Sequence, residues 1–399
     1  MISEYLLSLV RCPVCLEATS QAGLGADNPC KDIVEALSRQ ERPDHTLCQS
    51  NYEALWKCPE GVLAKRTLSR EASDNRCPCC GTVFPASKEK GFLDLRPPAG
   101  TFSDLTQYAE EEFHRRSGPL RPLFLSARIK TDMMSRMLDL SSKDRVIDIG
   151  CGNGQVVFYQ RASCAQLVGI DAGEHFAAEA AATVDLTRGD IRRLPFASRS
   201  FDKAYSLDVM EHLPEKGIRA MLSETRRILR PGGLFFVYSH VMMSSRLASF
   251  QRGVNRLVHW LDRREILDNQ PERDRKADHV NDLKSYEQLF RLVEEAGFRV
   301  ESIRYYNVVF KALIEDLLLP VVEHNVWGRA RKRKEASSAS VEASGDTSVG
   351  ASSRERPNVG RWAHPPLALA TALMKLDVAL FGRIRTGPFF LLLRATDSS

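Results

Sequence analysis

"VIDIGCGNGQ", residues 146–155, decides the fold. Apolar residues surround Asp148, and glycines then stand at alternate positions, Gly150, Gly152 and Gly154. An apolar run that breaks into glycines reads as a buried strand entering a tight turn. Glycine lets the backbone take positive φ and approach a ligand closely, so a turn of this kind suits a nucleotide. The dinucleotide fingerprint G-x-G-x-x-G needs its third glycine at position 155. This chain has Gln155 there.

A second ligand class uses such turns. S-adenosylmethionine (SAM) carries no phosphate, whereas a pyrophosphate gains from the N-terminus of the helix that follows. The downstream acids bear on the choice. "LVGID" ends in Asp171, placed to accept both hydroxyls of a ribose. "LTRGDIRRLPF" gives Asp190, where an acid can accept from an adenine amino group, and "FDKAYSLDV" gives Asp208. From about Lys143 onward apolar strands alternate with helical patterns, the signature of an α/β fold with a parallel sheet between helices. Four acids after successive strands then line one edge of that sheet, where open α/β sheets bind ligands. The bland alternative for each acid is a helix cap or a solvated loop residue.

The run from "VIDIGCGNG" through "GID", "GDIRRLPFASRSFDKAYSLDVMEHL" and "RILRPGGLFFV" resembles the class I SAM-dependent methyltransferases, especially the quinone-methyltransferase branch. "HVNDLKSYEQLFRLVEEAGFRV" resembles the substrate-side helix and sixth strand of the same branch. The resemblance covers roughly residues 140–307 and again 388–396. It implies a Rossmann-like, seven-stranded sheet with helices on both faces, and SAM as cofactor. It also implies that Asp148, Gly150, Cys151, Gly152 and Gly154 shape the methionine end of the pocket. Asp171 with Ala172 would bind the ribose, Asp190 with Ile191 the adenine, and Leu207 with Asp208 would close the pocket beneath the methionine.

A sulfonium methyl is already activated, so its transfer is chiefly a matter of in-line positioning in a dry pocket. A hydroxyl acceptor also needs a base, and histidine suits neutral pH. His240 in "VYSH" and His279 in "DHVND" are the candidates expected to face the acceptor. His212 in "MEHLP" reads rather as a capping or packing residue. The helix after His279 begins at Ser285 with Gln288 three residues on, a capping box, and stops at Gly297.

Eight of the ten cysteines precede residue 81. "RCPVCLE" supplies Cys12 and Cys15, and "RCPCCGTVFP" supplies Cys77 and Cys80. Two C-P-x-C knuckles offer four sulfurs, the closed tetrahedral shell of structural zinc. Residues 16–76 separate them, a longer excursion than usual, yet loop-closure cost grows only slowly with length. Cys30, Cys48, Cys58 and Cys79 are spare thiols without an assigned role. A redox role is the rival, but no thioredoxin-like βαβ pattern surrounds the motif. The spacing resembles the zinc-ribbon domains fused before some methyltransferases, including an rRNA guanine methyltransferase group.

The remaining layout follows from composition. The chain has 399 residues, 43% hydrophobic and 27% charged, with net charge +5, which is ordinary globular composition. No basic n-region opens the sequence and no apolar run reaches spanning length, so a cytosolic protein is expected. Residues 1–97 form the zinc-ribbon-like unit, 98–140 a linker with cap helices, and 141–399 the catalytic domain. Within the last lies an apolar helical insertion, 308–385, containing a Ser/Ala/Gly-rich stretch at 331–357 expected to be disordered.

"RLASFQRGVNRLVHWLDRR" puts Leu247, Phe250, Val254, Leu257 and Leu261 on one helical face, with Arg246, Arg252, Arg256, Arg263 and Arg264 elsewhere. "FKALIEDLLLPVVEHNVW" and "PLALATALMKLDVALFG" are further apolar helices. Such helices over a ligand edge make a greasy lid for a lipid, isoprenoid or quinone-like acceptor, and could rest on a membrane surface. Packing as core or as a dimer interface is the bland alternative. RNA base methylation competes, favoured by the zinc ribbon and "RKRK" at 331–334. However, four basic residues beside a polar tract are more often a solvated flank. The "LDVMEH" run is typical of small-molecule enzymes. A SAM-binding scaffold without activity is the third reading; the intact glycine turn and ribose acid argue against it.

Overall fold

The computed structural model describes residues 3–10, 75–76, 83–84, 91–95, 120–173, 175–242, 248–264, 266–267, 279–280, 282–306, 309–322, 324 and 364–396. The glycine turn follows strand β4 (Arg145–Ile149), the middle of an eight-stranded sheet. On one side of β4 lie β5 (Gln166–Asp171), β6 (Asp185–Arg188) and β3 (Leu93–Asp94), all parallel. On the other lie β7 (Phe201–Leu207) and β8 (Leu229–His240), parallel, then β10 (Pro388–Ala395) and β9 (Phe298–Tyr305), joined antiparallel. The strand order reverses at β4, so a crevice opens there at the carboxyl edge.

Alternation along the strands builds two cores. In β4, Ile147 and Ile149 join one apolar cluster while Val146 joins the other. In β8, Phe235 and Val237 face the first and Phe236 and Tyr238 the second. This period of two is the pattern of strands buried on both sides. The first face is covered by α5 (Glu215–Ile228) and α7 (Tyr286–Glu295). In α5 the buried residues Ile218, Met221, Leu222, Thr225 and Ile228 make one helical stripe. The second face carries α2 (Leu125–Leu138), α3 (Gln155–Gln160), α4 (Ala178–Thr183) and α9 (His364–Phe381). Helices on both faces are thus as expected.

The strand count is eight rather than the expected seven. The additional strand, β3, comes from "GFLDL" before the double proline. Leu93 and Asp94 pair with Thr187 and Arg188, and a buried ion pair joins Arg188 to Asp94 at 3.4 Å. Helix α1 (Glu4–Leu9) packs on the same sheet. Leu6, Leu9 and Val10 enter the first core, Ala197 N–H donates to Leu9 O at 2.9 Å, and Ser3 caps α1 while bonding Asp185. Both described ends of the residues 1–97 region therefore complete the main sheet and its core. Between them, β1 (Asn75–Arg76) and β2 (Val83–Phe84) pair antiparallel. Cys12, Cys15, Cys77 and Cys80 lie outside the described residues, as does 331–357.

Helix α6 (Ala248–Arg263) turns inward part of the expected stripe, Val254 and Leu261, with Val258 added and Phe250 and Leu257 left out. Val254, Val258 and Leu261 pack against Ala312, Leu317 and Val321, whereas Phe250 and Leu257 stay exposed. The partner is a π-helical segment, Ala312–Leu318, continued by α8 (Leu319–Val322). Its start is fixed by Asp377 of α9, a fully buried carboxylate that accepts from the amides of Val309, Phe310 and Lys311 at 3.0–3.1 Å. That arrangement satisfies orphan helix donors from a neighbouring helix. Helix α7 has Ser285 as N-cap, accepting from Gln288 N–H at 3.2 Å, but Gln288 Oε1 takes Lys284 N–H, so the capping box is half formed.

Candidate functional site

The turn after β4 shows why two of its glycines are required. Gly150 has φ +82°, and a Cβ there would lie 2.3 Å from Val209 Cγ2. Its N–H, like that of Cys151, donates to Ile170 O, which welds the turn to β5. Gly152 has φ +56°, and a Cβ there would meet nothing within 4 Å. One glycine makes room for protein; the other borders open space. The amide of Gly152 donates to Asp171 Oδ2, and that of Gly173 to Oδ1, each at 2.8 Å. Asp171, the last residue of β5, is thereby held by backbone on both oxygens.

Asp148 lies one residue inside the end of β4 rather than at it. It is buried, and its Oδ1 has no hydrogen-bond partner among the described residues. Burial, with the Asp171 charge adding to it, pushes this carboxyl well above the usual range, against the pull of the Tyr205 hydroxyl. Cys151 is buried too, and burial drives its thiol well above the usual value, which makes it packing rather than a nucleophile. The edge thus suits a ligand with a cationic end and a vicinal diol. SAM has both, so these residues fit it.

The other predicted residues occupy the same edge with their own partners. Ala172 accepts from Arg188 Nε at 3.2 Å. Asp190 forms a bidentate pair with Arg192, at 3.0 Å to Nε and 2.8 Å to Nη2, and takes the Arg192 amide as well. Ile191 packs on the first core and Leu207 on the second. Asp208 sits at φ +58°, a conformation unusual outside glycine that aspartate tolerates better than most residues. Lys130 of α2 reaches both its oxygens, at 2.7 and 2.5 Å, while lying 4.4 Å from the Tyr238 ring centroid.

Beyond Asp208 the structure gathers a cluster. The predicted His240 and His279 have ring centroids 5.4 Å apart, and His212 lies 4.7 Å from His279. Beneath them is Glu211, buried, accepting from Ser239 Oγ at 2.7 Å, with Oε1 3.8 Å from His240 Nδ1. Burial, and then the charge of Asp208, push the Glu211 carboxyl up to about 7. Sequence reading passed over Glu211, Ser239 and Lys130. Glu211 had a visible signal, since it adjoins His212 in "MEHL". Lys130 had none, standing 78 residues from its partner.

Residues 147–237 match the family model described as a methyltransferase domain. The chain is 25% identical over 185 residues to 24-methylenesterol C-methyltransferase 2 of Oryza sativa subsp. japonica, covering 44% of this chain and 47% of that one. It is 28% identical over 156 residues to the ubiquinone biosynthesis O-methyltransferase of Xanthomonas oryzae pv. oryzae (strain PXO99A), covering 36% and 64%. The matched stretches span less than two thirds of each relative's own length. Among solved structures, phosphoethanolamine N-methyltransferase 2 of Haemonchus contortus in complex with SAM aligns at TM-score 0.37 and 16% identity, covering 68% and 53%.

The two glycines give a contrast that unfolding experiments can read. Gly150→Ala combines a clash with Val209 and a strained φ, and should cost ~3 kcal/mol or more. Gly152→Ala meets no protein atom and should cost only ~1 kcal/mol for its φ. Equal losses in denaturant titrations would contradict the placement of the turn.

Proposed function

We propose that this chain is a SAM-dependent methyltransferase whose acceptor is a small apolar molecule of lipid- or quinone-like character. The observation that carries the reading is the carboxyl edge at β4 and β5. There a glycine opens onto free space beside a carboxylate fixed by two amides. The match of residues 147–237 to a methyltransferase domain supports it, as do relatives named for sterol and ubiquinone chemistry.

In this reading SAM, when bound, supplies a methyl carried on a positively charged sulfur. Asp148, Gly150, Cys151, Gly152 and Gly154 border the methionine end, and Asp171 with Ala172 orients the ribose. Asp190 with Ile191 holds the adenine, with the Arg192 pair fixing the Asp190 carboxylate in place. Leu207 and Asp208 close the pocket from below, and Lys130 ties Asp208 to α2. For a hydroxyl acceptor, His240 takes the proton. Its Nδ1 lies 3.8 Å from Glu211 Oε1. His279 packs beside it, with ring centroids 5.4 Å apart.

The acceptor class is read from the inserted helices. One face of α9 packs into the second core through Met374 and Val378. The opposite face leaves Leu369, Leu373, Leu376 and Leu380 exposed, the first and last by 64% each. Phe250, Leu257 and Trp260 of α6 are likewise exposed, among the exposed Arg252, Arg256 and Arg263. Apolar rows edged by arginine suit a peripheral approach to a membrane from the cytosol. No described helix is long and apolar enough to cross one. The Cys12, Cys15, Cys77 and Cys80 knuckles we read as one structural zinc, supported by the C-P-x-C spacing within each pair and by the β1–β2 pair that straddles the second knuckle.

Two measurements check these readings. Protein incubated with methyl-labelled SAM and a total cell extract should place label in the organic-soluble fraction; label in RNA or protein would overturn the acceptor class. Elemental analysis should find the structural zinc lost in a Cys12→Ser/Cys80→Ser variant, and an unchanged content would rule out the paired knuckles.

A further inference from the structure

The cluster at the ends of β7 and β8 holds more than proton transfer needs. Glu211, His212 and His279 each offer one ligand atom, and these atoms lie within 4.8 Å of one another. They come from two separated places in the chain: the 3-10 turn Met210–His212 directly after β7, and the segment before α7. Chain proximity explains the first two residues but not the arrival of His279. It stands edge-on to His212, with rings at 84°.

We infer that Glu211, His212 and His279 form a two-histidine, one-carboxylate site for a divalent ion of zinc's class. Bonds to zinc of about 2.0–2.2 Å place tetrahedral ligand atoms about 3.3 Å apart. The present spacing therefore needs to close by about 1.5 Å at most, within reach of side-chain rotation. His212 and His279 are both half-buried. Glu211 is already oriented from behind: Ser239 Oγ holds Oε2, leaving Oε1 on the histidine side. A ligating carboxylate fixed by its own hydrogen bond is the second-shell arrangement that metal sites use.

Three protein ligands leave at least one coordination position for another molecule, unlike a closed four-sulfur shell. Beside a methyl donor the natural occupant is an oxygen of the acceptor, which favours hydroxylated acceptors. That last step rests on the methyltransferase reading; the ion site itself does not.

The test uses the full chain, stripped with a chelator and titrated with Zn²⁺ against a competing chelator. The wild type should take up one zinc more per chain than His212→Ala/His279→Ala, with SAM affinity the same in both. Since that double change could disturb packing, His279→Asn alone, in the segment before α7, should weaken the same zinc by more than the roughly 10- to 100-fold that loss of an outer-shell partner costs. Cobalt(II) bound at this site should give visible bands without the thiolate charge-transfer absorption that cysteine ligands produce. Equal zinc uptake by the wild type and both variants would overturn the proposal. Loss of SAM binding with zinc uptake intact would count against the methyltransferase reading and leave the ion site standing.

Discussion

Everything at the ligand edge depends on how β4 meets β5. The amides of Gly150 and Cys151 share one carbonyl, Ile170 O, and two residues later Gly152 N–H reaches Asp171 Oδ2. This chain of donors and acceptors bends the backbone into positive φ at three glycines in five residues. It also spends two amides on fixing a carboxylate at the strand end. In a turn beside buried parallel strands, polar backbone groups need partners, and these amides have them. The open space at Gly152 and the buried carboxyl of Asp148 follow from that bend.

The cluster of histidines is positioned by the same sheet. β7 and β8 are parallel neighbours, so Asp208, Glu211 and His240 emerge at one edge. The Asp208 amide donates to Tyr238 O at 3.0 Å, linking the two strand ends. Glu211 then lies buried between an acid and three imidazoles. A carboxyl pushed up to about 7 in such a place is a group whose environment, not its intrinsic chemistry, sets its behaviour.

Much of this was legible in the sequence, because parallel strands buried on both sides write themselves as apolar runs. The order of β4 to β8, the glycine turn and the edge positions of Asp171, Asp190 and Asp208 could be read from local pattern. What escaped was non-local. β3 is only two residues long, and nothing in "GFLDL" says that it joins an edge beside Thr187 and Arg188. The Lys130–Asp208 pair and the Asp377 cap on Val309, Phe310 and Lys311 connect residues 66 to 78 apart. The stripe of α6 was partly misread for a different reason. Leu257 and Val258 stand about 100° apart on one broad apolar face, so periodicity alone could not choose between them.

In the proposed reading the glycine turn and Asp171 form the edge that binds the nucleoside of SAM. Calorimetric titration of SAM into the wild type and into Asp171→Ala tests it most directly. One binding event per chain is expected in the wild type and no measurable binding in the variant, with unfolding of both still cooperative. Equal affinity in the two proteins would contradict it.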